Sequence, residues 1–468
     1  MAEPRASRAI RFYNTLSRGT EPFEPLVPGE VRMYTCGPTV YDYAHIGNFR
    51  AYVWEDFLRR FLEHRGYRVI QVMNITDVDD KTIQRSIEAG VSLDDTTKPF
   101  IEAFFQDLDA MNIERAEHYP RATRHIEEMV ELSLRLRDKG HTYDSRGCLY
   151  FRISSFPEYG RLSRVDMNGI LPGARVDVDE YEKNDARDFV LWKARKGNET
   201  YWDTKLGEGR PGWHLECSAM GMKYLGETFD IHTGGVDNVF PHHENEIAQS
   251  EAATGRPFVK YWMHCEHLIV DGEKMSKSKG NFYTLRDLLD RGLSPRAIRY
   301  FLLGAHYRKQ LNFTMEGVSQ AESALTRLDD FLDRIEREPP GKPCGLSRTV
   351  RDATDRFEEA LGDDLNGAEA LAAAFDLLRE ANAAFDRGEG SSEERCEVLG
   401  FYETLRRIFG IRGRSRDLPE AVEALIGQRE VARKSKDFAA ADRIRDELLE
   451  MGVVLEDTPQ GVRWKKRC

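Results

Sequence analysis

Apolar residues crowd into two short runs near the start of the chain. Val31 to Thr35 makes the first. The second, from Tyr67 to Ile75, carries Val69, Ile70, Val72, Met73 and Ile75 almost without interruption, as expected of a strand buried on both faces. Between them Phe57, Leu58, Phe61 and Leu62 recur at helical spacing over residues 49–64, and Gly66 ends that helix. Strand, helix and strand in this order predict a parallel pair with a helical crossover, hence a doubly wound α/β sheet. Ligands bind such sheets beyond the carboxyl ends of the strands. The Gly37-Pro38 turn and the His45 loop fall on that side.

The pattern then changes. Residues 117–206 begin with a helix and go on to short strands and turns, at 148–151 and 160–163, which predicts an insertion between two halves of the sheet. Strand signals return at 228–232 and 263–270. Residues 338–345, rich in Pro and Gly, read as a linker. Helices follow, with Leu371, Phe375 and Leu378 spaced as one face, and a soft break at 387–395. A charged helix over 437–451 and two short strands, 453–455 and 462–464, close the chain around a turn at 457–461. The expected fold is a Rossmann-like parallel-sheet catalytic domain with an inserted domain, then an α-helical bundle and a small α+β module. The expected boundaries are 1–116 and 207–270 for the halves of the sheet domain and 117–206 for the insertion. Residues 271–337 form a loop and helical region, 338–413 the bundle and 414–468 the last module.

The 468 residues suffice for several domains with a large core. A net charge of −12 argues against indiscriminate nucleic-acid binding, but the stretch from Arg414 onward is close to neutral and leaves room for a local basic contact. Seven scattered cysteines make a poor disulfide framework and fit a reducing cytoplasm. No apolar run reaches membrane-spanning length, and the N-terminus lacks the basic and apolar segments of a signal peptide.

Chemistry concentrates in two places. Lys274-Met275-Ser276-Lys277-Ser278 sits between Gly272 and Gly280. Two ammonium groups on a small Ser-containing loop can close over a polyphosphate and take up charge as pyrophosphate forms. Taken alone, such a stretch reads more readily as a solvated surface loop than as a phosphate clamp. His45-Ile46-Gly47-Asn48 stands at the predicted helix start. There His45 can donate to a phosphate oxygen, the helix end favours anions, and Gly47 admits a ligand close to the backbone. Taken together, the two motifs read as two halves of one triphosphate site.

This pair resembles the signature motifs of class I aminoacyl-tRNA synthetases. Further segments narrow the resemblance to the cysteinyl-tRNA synthetase family. They are Tyr34-Thr35-Cys36-Gly37-Pro38-Thr39-Val40-Tyr41, Asn74-Ile75-Thr76-Asp77-Val78-Asp79-Asp80-Lys81, Pro211-Gly212-Trp213-His214-Leu215-Glu216-Cys217-Ser218, Phe240-Pro241-His242-His243-Glu244-Asn245-Glu246 and Leu455-Glu456-Asp457-Thr458-Pro459-Gln460-Gly461. The family usually has His where this chain has Asn48, which can donate a hydrogen bond but carries no charge. By spacing, His242 and Glu246 share a helix face, and His243, three residues from Glu246, is a rival imidazole. The positions matching the family's zinc ligands are Cys36, Cys217, His242 and Glu246. The resemblance also implies that Gly37, Thr76, Asp77, Trp213, His232 and Asp237 line the amino-acid pocket.

The resemblance implies a cysteine–tRNA ligase with one Zn²⁺ per chain, using L-cysteine, ATP with Mg²⁺, and tRNA(Cys). It implies catalytic roles for His45, Asn48, Lys274 and Lys277, with Gly47, Met275, Ser276 and Ser278 at the nucleotide. Residues 338–413 become a tRNA-binding bundle and 414–468 an anticodon-binding module, with Arg463, Trp464, Lys465, Lys466 and Arg467 meeting RNA. A cytoplasmic monomer is expected. Two rivals stand beside this reading. One is a cysteine ligase of mycothiol synthesis acting on an amino-sugar, which lacks the terminal module. The other is a non-catalytic zinc-containing RNA-binding protein, which would not need His45, Lys274 and Lys277.

Overall fold

Four parallel strands carry the architecture in the order Val259–Cys265, Phe229–Gly235, Glu30–Thr35, Arg68–Met73. The structure, a computed structural model, describes residues 9–165, 188–414, 420–435, 437–451, 453–458 and 461–466. Glu30–Thr35 is followed on one side by Arg68–Met73. On its other side lies Phe229–Gly235, which arrives much later in the chain. The strand order therefore reverses between these two inner strands, which creates a crevice at their carboxyl ends. Helices cover both faces. Along Phe229–Gly235 the side chains alternate, so His232 faces Glu246 of helix Glu244–Thr254 and Thr233 faces Glu55 of helix Ile46–His64.

Helix Ile46–His64 begins three residues earlier than its apolar pattern suggested, because His45 caps it. Phe57, Leu58, Phe61 and Leu62 are buried as expected. Its other face is buried too, and that face is charged. Arg50 donates to the carbonyls of Leu302, Ala305 and His306. Asp56 takes Arg60 Nε at 2.7 Å, the amide of Glu114 at 2.8 Å and the guanidinium of Arg299. Arg299 also donates to the carbonyls of Phe409, Met111 and Asn112. Burial opposes the Asp56 charge, but Arg299 and Arg60 outweigh it and hold the carboxyl below its usual range. Helix Pro295–Leu303 and helix Ser392–Phe409 are fastened to the sheet domain by this network.

The insertion is a four-stranded antiparallel sheet in chain order: Thr142–Ser145, Cys148–Phe151, Phe189–Ala194 and Gly209–Pro211. Its core is continuous with that of the helices beneath, where Leu149, Phe151, Leu191 and Trp192 join Leu215, Ala219 and Ala248. Of the two stretches expected to hold short strands and turns, 148–151 is a strand and 160–163 a turn. The run expected at 263–270 is broken at Glu266, whose amide leaves the sheet for the carbonyl of Tyr307. Val259–Cys265 belongs to the parallel sheet, and Leu268–Val270 starts a separate sheet with Glu273–Lys274 and Leu311–Phe313.

Helices Leu346–Gly362, Gly367–Asp386 and Ser392–Phe409 follow residues 338–345. In the second of them the buried face is Leu371, Ala374, Leu377, Ala381 and Ala384, while Phe375 and Leu378 are only half-buried. Alanines allow helices to approach closely, and this shifts the face from the one the bulky residues suggested.

A second unit comprises residues 319–338 and 412–468. Within it, helices Glu420–Lys434 and Phe438–Glu450 and the hairpin Val453–Thr458 with Gly461–Lys466 share a small core of Val422, Leu448, Val453 and Leu455. Residues 459–460 of the expected turn lie outside the described residues, as does Arg467. No described helix is long and apolar enough to cross a membrane.

Removing one partner of a buried ion pair strands the other charge, which costs about 3–5 kcal/mol. Arg299→Ala is expected to lower stability by that amount in urea denaturation, and a loss under about 1 kcal/mol would contradict the role given to this network.

Candidate functional site

Four donors from separate parts of the chain converge at the crevice. Cys36 follows the strand Glu30–Thr35, and Cys217 lies on helix Trp213–Leu225. His242 sits in the turn Val239–His243, and Glu246 in the first turn of the next helix. Their ligand atoms lie within 4.8 Å of one another. A second quartet shares Cys36 and Glu246 and adds His232 and His243 instead. His242 Nε2 stands 3.0 Å from Glu246 Oε1, and His232 Nε2 stands 3.1 Å from Glu246 Oε2. His243 Nε2 is 3.3 Å from Cys36 Sγ and 4.0 Å from Glu246 Oε1.

The charges in this pocket set one another. Burial would raise the Glu246 carboxyl, yet His232 and His242 outweigh it and hold the group down to about 2. Burial also opposes a charge on His242, but Glu246 and Cys217 lift it to about 10. The Cys217 thiol is brought down to about 6, first by its hydrogen bond with Cys36, and that same bond pushes Cys36 up. His243 is driven well below its ordinary value by burial and by the imidazoles of His232, His264, His242 and His214 around it.

Neighbours orient the rings. His242 Nδ1 meets His214 Nδ1 at 2.9 Å, which leaves Nε2 turned to the carboxylate. Trp213 stacks on the same ring, with centroids 4.2 Å apart and planes 20° apart. His243 Nδ1 is tied to His264 Nε2 at 2.8 Å, and His264 Nδ1 to Thr15 Oγ1 at 2.7 Å. His232 stacks on Trp262.

These residues fit a cation. Glu246 Oε1 is buried and lacks a hydrogen bond, although His242 Nε2 is 3.0 Å away, because the two are not aligned as donor and acceptor. Both atoms can point at a common centre. Two thiols, one imidazole and one carboxylate form a donor set suited to tetrahedral zinc. The quartet with Cys217 and His242 supplies that set, whereas the other quartet offers one thiol and two imidazoles beside the same carboxylate.

The second cluster lies at the start of helix Ile46–His64. His45 Nδ1 accepts from the amide of Asn48 at 3.2 Å, and Asn48 Oδ1 accepts from the amide of His45 at 3.0 Å, a reciprocal capping box. The ring proton of neutral His45 therefore sits on Nε2. Burial keeps His45 below its ordinary pKa, and Asp237 opposes that from nearby. The side-chain amide of Asn48 keeps its two N–H donors. Residues 282–284 run beside this helix start: Ile46 N donates to Tyr283 O at 2.9 Å, and Phe282 meets the His45 ring edge-on. A Cβ at Gly47 would stand 3.3 Å from the Met275 methyl, so the lysine loop rests on the helix start.

The remaining expected residues divide. A Cβ at Gly37 would fall 1.8 Å from the Asn74 carbonyl oxygen, so only glycine lets the two strand ends approach this closely. Thr76 Oγ1 donates to Glu216 Oε2 at 2.8 Å, which places it one residue from Cys217. Asp77 faces elsewhere, its oxygens taken by Arg121 Nε at 2.7 Å and by the amide and hydroxyl of Thr123. Arg463, Trp464, Lys465 and Lys466 lie on the strand Gly461–Lys466 of the second unit. Sequence reasoning passed over His214, His264, Thr15 and Asp42. His214 carried a signal, being three residues before Cys217 on one helix, so that both share a face.

Comparison with known proteins gives concordant matches. The model described as the class I (C) tRNA synthetase catalytic domain matches residues 22–323. A DALR domain matches 356–413, and a cysteinyl-tRNA ligase anticodon binding domain matches 415–464. The chain is 52% identical to a cysteine–tRNA ligase of Brachyspira hyodysenteriae over 98% of its own length and 99% of that protein. It is also 52% identical to a cysteine–tRNA ligase of Solibacter usitatus, over 98% and 100%. A Mycobacterium tuberculosis methionyl-tRNA synthetase in complex with methionyl-adenylate shares the fold at a TM-score of 0.60 and 18% identity, covering 81% of this chain and 89% of that one.

The donor geometry makes a prediction that needs no substrate. The purified protein should retain one zinc per chain by elemental analysis. Cys217→Ala and His242→Ala should lose it on dialysis, and His243→Ala should keep it. Retention by His242→Ala together with loss by His243→Ala would assign the imidazole to the other quartet.

Proposed function

The chain belongs to the cysteinyl-tRNA synthetase family, and on that premise we propose that it activates L-cysteine with ATP·Mg²⁺ and transfers it to the terminal ribose of tRNA(Cys). It is an aminoacyl-tRNA ligase. The observation that carries the choice of amino acid is the convergence of Cys36, Cys217, His242 and Glu246 at the sheet's strand-order reversal. A zinc ion bound by those four would supply a Lewis acid that takes a thiolate far better than a hydroxyl, separating cysteine from serine without an editing site. Trp213, stacked on His242, and His232, held by Glu246 and Trp262, wall the pocket around the side chain.

In the first step the cysteine carboxylate attacks the α-phosphorus of ATP and pyrophosphate leaves. His45 Nε2–H, the Asn48 amide and the positive end of helix Ile46–His64 supply donors toward the charge that develops on the phosphorus oxygens. Lys274 and Lys277 hold the departing phosphates, while Met275, Ser276 and Ser278 shape the loop that carries them. Gly47 lets the nucleotide approach the backbone. Asp237, which acts on His45 and follows the strand that carries His232, is suited to the amino group of the substrate. In the second step the 2′-hydroxyl of the terminal ribose attacks the adenylate carbonyl and AMP leaves. No side-chain nucleophile is needed.

The second unit supplies the tRNA end of this reading. Its hairpin strand carries Arg463, Trp464, Lys465 and Lys466, residue types that neutralise phosphates and stack on bases, and Arg467 follows outside the described residues. The match of 415–464 to an anticodon binding domain favours tRNA over an amino-sugar acceptor. A cytoplasmic monomer suits a reaction that needs only these substrates.

Cysteine-dependent ATP–pyrophosphate exchange tests the activity. Cysteine should support exchange at least about a hundredfold better than serine, since a pocket without direct sulfur recognition reaches about that ratio. Serine turnover within about tenfold of cysteine would remove the metal from the selectivity argument. Lys277→Ala should slow single-turnover adenylate formation by about 10²-fold with cysteine binding unchanged, and an unaltered rate would contradict its role at the phosphates.

A further inference from the structure

Lys277 has a partner from the far end of the sheet domain's sequence. Its Nζ stands 2.7 Å from Oδ2 of Asp42, which lies in the loop between strand Glu30–Thr35 and helix Ile46–His64. The same oxygen is 3.5 Å from the Arg85 guanidinium, and Asp42 Oδ1 accepts from the amide of Tyr43 at 3.0 Å. Lys277 also lies over the Phe282 ring, 5.0 Å from its centroid, and Phe282 meets the His45 ring. The ammonium is thus held between the Asp42 carboxylate and the Phe282 ring. The loop's other ion pair is internal, Lys279 with Glu273 at 2.8 Å; Ser276 N likewise donates within the loop, to Asn281 Oδ1 at 2.8 Å, and Met275 packs without charge against Gly47. Asp42 is therefore the loop's charged tether to the sheet domain.

A carboxylate oxygen at this distance offers the ammonium what a phosphate oxygen would offer. Burial opposes the Asp42 charge, but the hydrogen bonds from Lys277 and the Tyr43 amide hold the carboxyl below its usual range, so it is ionised at neutral pH. The lysine side chain is 63% exposed and the aspartate 25%. A pair this open to water is weak enough to be exchanged for a polyanion. Resting on the reading that Lys277 meets the leaving phosphates, we propose that Asp42 is a positioning residue: it is the counter-ion that Lys277 trades for pyrophosphate. Asp42 keeps the ammonium beside His45 before nucleotide binds. It takes the ammonium back as pyrophosphate departs, so that it competes with product for the lysine.

The sign of one substitution tests this. Binding of inorganic pyrophosphate with Mg²⁺ to the zinc-loaded full-length protein is measured by calorimetry for four forms: wild type, Asp42→Asn, Lys277→Ala and the double variant. Asp42→Asn removes the competing charge and should tighten pyrophosphate about two- to fivefold, the range for a pair this exposed. Asp42→Glu should restore wild-type affinity. In the Lys277→Ala background Asp42→Asn should have no effect. Cysteine binding, followed in parallel, should be unchanged by Asp42→Asn, which separates exchange from misfolding. Unchanged or weaker pyrophosphate binding by Asp42→Asn would overturn the proposal, as would tightening that persists without Lys277. If Lys277→Ala alone leaves pyrophosphate affinity intact, the phosphate role of the lysine fails, and the exchange fails with it. If Lys277→Ala weakens binding and Asp42→Asn does not tighten it, only the exchange fails.

Discussion

Glu246 has no access to water, and each of its oxygens faces an imidazole, His242 on one side and His232 on the other. A carboxylate in that position is stable only if positive charge is built around it. The surroundings follow from that demand. His214 turns His242 toward it, Trp213 and Trp262 stack the two rings in place, and Cys217 and Cys36 complete a set of donors with a common centre. The parallel sheet makes this possible, because its order reverses between the strands that deliver Cys36 and His232. Moving either strand by one residue would turn its donor to the opposite face.

The proposed selection and activation steps have opposite physical requirements, and the structure offers a separate setting for each. The donor cluster is buried and its rings are held by stacking and hydrogen bonds, so its geometry is rigid before substrate arrives. The lysine loop is exposed and joined to the body by pairs that solvent weakens, notably Lys277 with Asp42. A rigid pocket can reject a near-isostere, whereas a loop that must grip and then release pyrophosphate has to move. Helix Ile46–His64 links the two. Its first turn faces the lysine loop, its apolar side packs on the sheet, and its charged side is locked by Arg299.

Local pattern revealed the parts of this arrangement that are local. The apolar runs marked Glu30–Thr35 and Arg68–Met73, and the helix between them was evident from Phe57, Leu58, Phe61 and Leu62. The helical spacing of His242 and Glu246 was legible too, but it could not exclude His243, and three-dimensional closeness brings both rings near the carboxylate. The Cys36 and Cys217 thiols meet only in the folded chain, so spacing could not pair them, and their place in the reading came from the family resemblance. The Asp42–Lys277 pair spans 235 residues and left no trace in the sequence pattern. The burial of the charged side of helix Ile46–His64 was not legible in the sequence, because packing by helices hundreds of residues away cannot be read from periodicity. Alanine carried the packing of Gly367–Asp386, where bulky residues drew attention to the wrong face.

The central claim is that the cluster around Glu246 recognises the substrate through its sulfur. X-ray absorption at the zinc edge of the metal-loaded full-length protein tests it without relying on turnover. The account predicts two sulfur neighbours, with nitrogen and oxygen completing the set, in the protein alone. A third sulfur should appear on addition of cysteine, and no change on addition of serine. A spectrum that cysteine leaves unaltered, or that serine alters in the same way, would contradict it.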